Sequence, residues 1–161
     1  MSYAVDVNVF LYASDRSSVH NARAREFLAE CAAGPEVVCV AWPTVMSYLR
    51  LATHPAIFVN PLSPDEAMGN VEALLRLPHV RALGEEEGFW PVYSDVARST
   101  PTRGNLVPDA HLAALLRQHG VTTLYTNDKD NDLTESILAQ LNAAAPTTLR
   151  SSETPKPAGS K

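Results

Sequence analysis

Short apolar runs alternate with longer amphipathic stretches along most of the chain. Four compact, mainly apolar runs predict strands: Tyr3–Val5, Glu36–Val40, Val80–Leu83 and Val121–Tyr125. The stretches between them repeat apolar residues at three- and four-residue spacing, which indicates helices. Strands that alternate with helices are typical of a parallel sheet covered by helices. The pattern therefore predicts an α/β fold with a mostly parallel central sheet.

Turn and capping residues mark where the predicted helices begin and end. Ser63 and Pro64 are favourable residues for a helix start, and Pro78 closes that helix. Gly120 is in the position that commonly follows a helix end. The other predicted helices are Val9–Ala13, His20–Ala32, Thr44–Thr53, Glu85–Ser99, Asn105–His119 and Leu133–Leu141, and Thr147–Leu149 is a possible last strand.

Acidic residues follow two of the predicted strands. Asp6 comes directly after the first strand, and Asp128 and Asp130 come after the strand that ends at Tyr125. Asp109 lies in the first turn of the helix that leads into that strand. Parallel α/β sheets bind ligands outside the carboxyl ends of their strands. We therefore expect these carboxylates to converge at one edge of the sheet.

Convergent carboxylates repel each other by about 4 kcal/mol for a pair 4 Å apart at an effective dielectric constant near 20, so a fold that gathers them needs a cation. Oxygen ligands without nearby His or Cys favour Mg²⁺ or Mn²⁺ over Zn²⁺. Such a cation activates water and neutralises charge on a phosphodiester that is being cleaved. Taken singly, each Asp is also compatible with a cap or a solvated turn, so the prediction depends on all of these acids lying together.

Length and composition indicate one globular domain. A chain of 161 residues is the size of a single domain, and a 45% hydrophobic share is ordinary for a globular protein. No apolar run approaches the roughly 20 residues of a membrane span, and no secretory signal is visible. Cys31 and Cys39 lie in mainly apolar stretches, which favours buried free thiols and a cytoplasmic location. We expect the domain at residues 1–150 and a disordered tail at residues 151–161.

The net charge of −5 argues by itself against a general nucleic-acid binder. Four of the 18 acidic residues, however, belong to the predicted cation site. Binding one Mg²⁺ would change the sum of −5 to −3, and two would change it to −1. The acidity is therefore compatible with a nuclease whose RNA contacts come from a local patch, and ten of the 13 basic residues are Arg.

Three segments of the chain resemble the motifs of PIN domains, in particular those of the VapC toxins of toxin–antitoxin operons. They are the stretch from Asp6 to Ala13, the stretch from Trp42 to Thr53 and the stretch from Asn105 to Leu115. The stretch from Gly120 to Asp130 is similar to the last acidic motif of the family. The resemblance spans residues 2 to about 132 in the family's order.

This resemblance implies a fold, an activity and partners. PIN domains are three-layer α/β/α sandwiches with a parallel sheet. VapC toxins are Mg²⁺- or Mn²⁺-dependent endoribonucleases that cut tRNA or rRNA. They are usually homodimers, and a VapB antitoxin from the same operon silences them. Hydrolysis would proceed by in-line attack of a metal-activated water, without a covalent intermediate.

The resemblance also assigns roles to individual residues. Asp6, Asp109 and Asp128 would be the catalytic metal ligands, and Asp130 would be an outer acid of the metal site. Among the supporting residues, Asn8 would fix the first Asp or the scissile phosphate, and Thr126 is the small hydroxyl residue before the last acid. Arg50 would contact an RNA phosphate or an internal carboxylate, with a structural salt bridge as the alternative. Arg103 is a candidate phosphate contact.

The chain departs from the family pattern at Ser47, where many PIN domains have Glu. A serine hydroxyl can hold a water of the Mg²⁺ shell but cannot balance charge, so we expect one ion instead of two, with a catalytically weak or silent domain as the alternative. Asn131 also stands where the family often has an aromatic residue.

Two other functions are alternatives to an active nuclease. A catalytically silent PIN domain would bind RNA or antitoxin without cleaving. A phosphotransferase of the haloacid dehalogenase type also begins with Asp after a first strand, but it needs a second Asp where this chain has Asn8.

Overall fold

The computed structural model describes residues 1–126. Four strands and six helices alternate along this part of the chain. The strands are β1 (Ser2–Val5), β2 (Val37–Ala41), β3 (Val80–Leu83) and β4 (Leu124–Tyr125). The helices are α1 (Val7–Ser14), α2 (Asn21–Ala33), α3 (Trp42–Ala52), α4 (Pro64–Leu75), α5 (Phe89–Ser99) and α6 (Leu106–Gln118).

The four strands form one parallel sheet in the order β3-β2-β1-β4. β1 occupies a central position, where Ala4 pairs with Cys39 of β2 on one side and with Leu124 of β4 on the other. Since all four strands are parallel, their carboxyl ends lie at the same edge of the sheet. The predicted parallel α/β architecture is confirmed.

Helices cover both faces of the sheet, as the alternation of side chains along the strands requires. Tyr3 and Val5 of β1 pack in a cluster with residues of α1 to α4, whereas Ala4 between them packs in a cluster with residues of α5 and α6. Successive residues of a strand point to opposite faces, so each strand contributes to both layers of core. The result is the three-layer α/β/α sandwich expected from the resemblance.

Side chains cap the first turns of α1 and α4. Asp6 caps α1, because its side chain accepts a hydrogen bond from the Val7 N–H. Ser63 and Glu66 form a complete capping box at the start of α4. The helix start at Ser63 was predicted, and a cap was the alternative interpretation of Asp6, because both contacts lie within a few residues along the chain.

Two predicted boundaries are wrong. The helix predicted from Glu85 begins at Phe89, because Gly88 adopts a left-handed backbone with φ 79° and residues 84–88 form a loop. The strand predicted over Val121–Tyr125 comprises only Leu124–Tyr125. Its first residue does not join the sheet, since the Val121 N–H donates to the Leu116 carbonyl of the preceding helix.

Several predictions fall outside the described residues. They are the helix Leu133–Leu141, the strand Thr147–Leu149, the domain boundary at residue 150 and the tail at residues 151–161.

Cys31 and Cys39 are buried free thiols, as predicted. Trp42 and Trp90 are exposed aromatic side chains. Within residues 1–126, no helix has the length and apolar character needed to cross a membrane.

The core beneath α6 provides a test of the packing. Leu116 has no exposed surface, and its replacement by Ala is expected to cost about 2–5 kcal/mol of unfolding free energy because it leaves a cavity in a close-packed cluster. Met68→Ala is the matched control, because this side chain is 47% exposed and should change stability by less than about 0.5 kcal/mol. Urea unfolding of both variants measures the difference, and equal midpoints would contradict the assignment of Leu116 to the core.

Candidate active site

Asp6 stands at the carboxyl end of β1 and is fixed by three hydrogen bonds. Its backbone N–H donates to the Tyr125 carbonyl at 2.9 Å, which continues the pairing of β1 with β4. Its Oδ1 accepts from the Val7 N–H at 2.7 Å, and its Oδ2 accepts from the Thr126 hydroxyl at 3.0 Å. Each carboxylate oxygen therefore accepts at least one hydrogen bond that fixes its position.

Thr126 contributes to this arrangement from a position 120 residues away in the chain. The pairing of Val5 with Tyr125 brings the next residue of each strand to the same edge of the sheet. The resemblance assigned Thr126 a supporting role, and the structure shows its contact with Asp6.

Asp109 is brought to the same site by the packing of α6. It lies in the first turn of that helix, and Ala110, Ala113 and Ala114 bury the helix against the sheet. These small side chains let α6 lie close to the strands, so the half-buried Asp109 side chain faces the protein rather than open solvent.

The electrostatics of Asp109 depend on burial and on Asp6. Burial raises the pKa of the Asp109 carboxyl above its ordinary value, and the nearby Asp6 carboxylate raises it further. Asp109 Oδ2 is buried and has no hydrogen-bond partner, the only side-chain oxygen or nitrogen in this condition among the residues that the structure describes. A buried, unpartnered polar atom is costly and calls for a functional explanation.

A divalent cation fits this arrangement. It would satisfy the unpartnered Oδ2 of Asp109 and relieve the repulsion between Asp109 and Asp6. The donors are carboxylate oxygens, which Mg²⁺ and Mn²⁺ prefer. Within residues 1–126 no group of three His, Cys, Asp or Glu side chains is close enough to hold a metal. The predicted third and fourth acids, Asp128 and Asp130, lie outside the described residues.

The remaining predicted residues lie on the helices and loops near the motifs. Asn8 is half-buried in the first turn of α1, and Ser47 is half-buried in α3. Arg50 is exposed in the last turn of α3, and Arg103 is exposed in the loop before α6. Neither arginine forms an ion pair with a carboxylate of the described residues. The internal salt bridge offered as an alternative for Arg50 is therefore not found in this part of the chain.

His111, two residues after Asp109, has a structural role. Its Nε2 contacts Glu85, and its ring packs edge-on against Phe89. These contacts tie the loop after β3 to α6. No local pattern reveals this pairing, because Glu85 and His111 are separated by 26 residues in the chain.

Most of the chain is similar in sequence to known proteins. The family model described as PIN domain matches residues 3–135. Ribonuclease VapC48 of Mycobacterium tuberculosis is 45% identical over 130 residues, which cover 81% of this chain and 90% of the relative. Ribonuclease VapC43 of the same species is 32% identical over 120 residues, which cover 74% of this chain and 82% of the relative.

Solved structures show the same fold at low sequence identity. The crystal structure of Mycobacterium tuberculosis VapC20, described as a sarcin-ricin loop cleaving toxin, superimposes with a TM-score of 0.58 at 17% identity and covers 83% of this chain and 94% of its own. The crystal structure of FitAcB from Neisseria gonorrhoeae superimposes with a TM-score of 0.53 at 18% identity and covers 88% of this chain and 94% of its own. With a family match over most of its length, the chain belongs to the PIN-domain family and, within it, to the VapC ribonucleases.

Proposed function

We propose that this protein is a Mg²⁺-dependent endoribonuclease that acts as the toxin of a type II toxin–antitoxin pair, with Mn²⁺ as a substitute ion. The observation that carries this proposal is the buried, unpartnered Oδ2 of Asp109 beside the Asp6 carboxylate, in a chain of the VapC family. Two convergent carboxylates repel each other and so oppose folding, and their presence favours a function in holding a cation.

Asp6, Asp109 and Asp128 would hold the ion, and Asp130 would act as an outer acid. When bound, Mg²⁺ lowers the pKa of a water nucleophile and neutralises charge on the phosphodiester. The Val7 N–H and the Thr126 hydroxyl hold the Asp6 carboxylate in place, so that little reorganisation is needed when the ion and the RNA bind. Asn8, in the first turn of α1, would orient the Asp6 carboxylate or the phosphate.

The proposed substrate is tRNA or rRNA. Arg50 and Arg103 are exposed and form no ion pair within residues 1–126, so both guanidinium groups are available for phosphate contacts. The structural relative VapC20 is described as cleaving the sarcin-ricin loop, which supports a structured RNA as substrate for this chain as well.

A second candidate function is RNA or antitoxin binding without cleavage. Ser47 favours it, because this half-buried neutral hydroxyl occupies the position where many family members have a metal-binding Glu. We expect a single ion rather than two, since the chain offers one carboxylate fewer.

We also propose two protein partners and a location. A VapB-like antitoxin would neutralise the toxin. A homodimer is supported by the apolar surface on α3, where Trp42 and Met46, one turn apart, are 42% and 54% exposed. The free thiols Cys31 and Cys39 favour the reducing cytoplasm.

Metal removal tests the proposed activity. Purified protein treated with EDTA is expected to leave total RNA intact, and added Mg²⁺ or Mn²⁺ is expected to restore endonucleolytic cuts. The same ions should raise the thermal midpoint of the EDTA-treated protein, because they bind the folded state and not the unfolded state. Ca²⁺ is a useful control, because its larger and more flexible oxygen shell fits a site for Mg²⁺ poorly.

The two candidate functions give different results in this assay. Ion-dependent cleavage eliminates the silent domain. Thermal stabilisation by Mg²⁺ without any cleavage would instead support a binding module. Cleavage that continues unchanged in EDTA would contradict the metal mechanism.

A further inference from the structure

The Asp109 carboxylate is held in place differently from the Asp6 carboxylate. Asp6 is fixed by its own hydrogen bonds, which come from the Val7 N–H and the Thr126 hydroxyl. The buried Oδ2 of Asp109 has no hydrogen-bond partner, so no donor fixes this oxygen directly. Its position therefore depends on how α6, the helix that carries Asp109, is fixed against the rest of the domain.

The beginning of α6 has few contacts that would fix the helix. Asn105 at the N-cap position forms no capping hydrogen bond. Ala110 and Ala113 pack against the sheet, and a single methyl group makes fewer contacts that resist sliding or rotation than a large side chain does. The large, fully buried side chains Leu115 and Leu116 lie in the other half of the helix.

Two side chains tie the C-terminal end of α6 to the loop after β3. Gln118 accepts a hydrogen bond from the Glu86 N–H at 3.1 Å and donates to the Glu86 and Glu87 carbonyls. His119 Nε2 donates to the Gly84 carbonyl at 2.8 Å. These two residues lie about 14–15 Å from Asp109 along the axis of an α-helix. They therefore fix the end of the helix that is far from the candidate site.

His111 provides the tie near Asp109. Its Nε2 contacts the Glu85 carboxylate at the start of the same loop. Its ring packs edge-on against Phe89, with a centroid distance of 5.4 Å. Among the described residues, His111 is the only side chain in the first two turns of α6 that hydrogen-bonds another element. The position of this end of the helix therefore depends on the contact between His111 and Glu85.

Asp109 and His111 project from nearly opposite sides of α6. They are two residues apart, which corresponds to about 200° around an α-helix. Ala110, between them, packs into the core. A contact that holds His111 against Glu85 therefore fixes the rotation of the helix about its axis. This rotation keeps Asp109 on the side of Asp6, whose carboxylate interacts with it.

We propose that His111 is a positioning residue of the metal site, which acts through Glu85 to hold the Asp109 carboxylate beside Asp6. The inference rests on the proposed function, because it gives His111 a role in the same site. His111 would not contact the ion or the RNA. Loss of a group that orients a metal ligand typically lowers metal affinity or activity about 10–100-fold.

Direct measurement of Mn²⁺ binding tests this role without RNA. In metal-free His111→Ala, the Mn²⁺ concentration for half-saturation is expected to rise about tenfold, as measured by electron paramagnetic resonance of the free ion. His119→Ala is the matched control, because it removes a histidine tie between the same helix and the same loop at the end far from Asp109. It should bind Mn²⁺ within about twofold of wild type, since the metal ligands stay in place. Far-UV circular dichroism checks that both variants are folded.

A conservative substitution tests the hydrogen bond itself. His111→Gln keeps an N–H donor near the position of Nε2 and should bind Mn²⁺ within about threefold of wild type. Glu85→Ala should weaken binding as much as His111→Ala, and the double variant should weaken it no further, because both residues act through one contact. Glu87→Ala controls for the lost charge, since this exposed side chain forms no ion pair with the described residues.

Two results would overturn the inference while the proposed function stands. One is a folded His111→Ala protein that binds Mn²⁺ as tightly as wild type, and the other is His119→Ala that binds it as weakly as His111→Ala. His111→Gln no better than His111→Ala would overturn the route through Glu85.

RNA cleavage by the same samples separates this inference from the proposed function. At limiting Mg²⁺, His111→Ala should cleave about tenfold more slowly than wild type, and at saturating Mg²⁺ it should approach the wild-type rate with an unchanged KM for RNA. If wild type binds Mn²⁺ and no sample cuts RNA, the nuclease proposal fails while the binding results still decide the role of His111. A wild type that binds no Mn²⁺ would overturn both.

Discussion

Replacement of Asp6 by Asn is expected to abolish RNA cleavage and growth arrest while the chain remains folded. Loss of a metal-binding carboxylate removes several kcal/mol of transition-state charge stabilisation, which corresponds to about 10²–10⁴-fold in rate. Folding should persist because Asn is as good an N-cap as Asp and can still accept the hydrogen bond from the Val7 N–H. The Thr126 hydroxyl can rotate to accept from the new amide instead of donating to the carboxylate.

A matched control exists in the same chain. Asp65→Asn removes an exposed carboxylate from the first turn of α4 and makes the same charge change away from the site. Initial cleavage rates of wild type and both variants at saturating Mg²⁺, together with far-UV circular dichroism, measure the effect. An Asp6→Asn protein that remains folded and toxic would rule out the proposed mechanism.

Asp109→Asn is expected to have two opposite effects. Cleavage should fall as far as in Asp6→Asn, because the unpartnered Oδ2 that would bind the ion is lost. The metal-free protein should become more stable at neutral pH, since the substitution removes a buried charge and its repulsion with Asp6. We expect a rise in thermal midpoint of about 2–4 °C, the shift that one kcal/mol produces in a chain of this size.

The stability difference should also depend on pH. Because the folded chain raises the pKa of Asp109 above its unfolded value, folding favours the protonated form of this group. Its contribution to stability is therefore present below the unfolded pKa, near 3.8, and is lost as the pH rises through the higher folded pKa. Asp109→Asn lacks this loss, so its advantage over wild type should grow as the pH rises through that window.

Urea unfolding of the EDTA-treated proteins between pH 4 and pH 8 measures this difference. Asp65→Asn again serves as the control, because it makes the same charge change at an exposed position away from the site. Added Mg²⁺ should reverse the order at pH 7 by stabilising the wild type and not Asp109→Asn. A variant that is less stable than the metal-free wild type at every pH would show that Asp109 stabilises the fold rather than straining it.

Short-range signals in the sequence predicted many elements correctly. β1, β3 and the start of α4 after Ser63 depend on neighbouring residues, so a local pattern is enough to place them. The errors arose where the local backbone conformation departs from the one that the apolar pattern predicts. The Val121 N–H bonds the carbonyl of Leu116, which shortens β4, and Gly88 delays the start of α5 until residue 89.

Some features of the candidate site were predicted from the sequence, and others depend on packing. Asp6 and Asp109 were predicted to converge because they lie at the ends of elements that a parallel sheet brings to one edge, and the electrostatic effect of Asp6 on Asp109 agrees. The burial and hydrogen bonding of these carboxylates cannot be predicted from the sequence. Only the packing of α6 through small residues such as Ala110 and Ala114 leaves Oδ2 of Asp109 buried without a partner.

By itself, the sequence determined the α/β class, the family motifs and the identity of the acids, since these follow from periodicity and from residue types near one another in the chain. The tertiary structure alone decided the order of the strands, the contact between Thr126 and Asp6, and the hydrogen bonds of Tyr48 with Ser14 and Asn70. These features join residues that are far apart in the chain, so no local sequence pattern predicts which of them come together. The Tyr48 hydroxyl, for example, links α1, α3 and α4 through Ser14 and Asn70, which are 34 and 22 residues away from it in the chain.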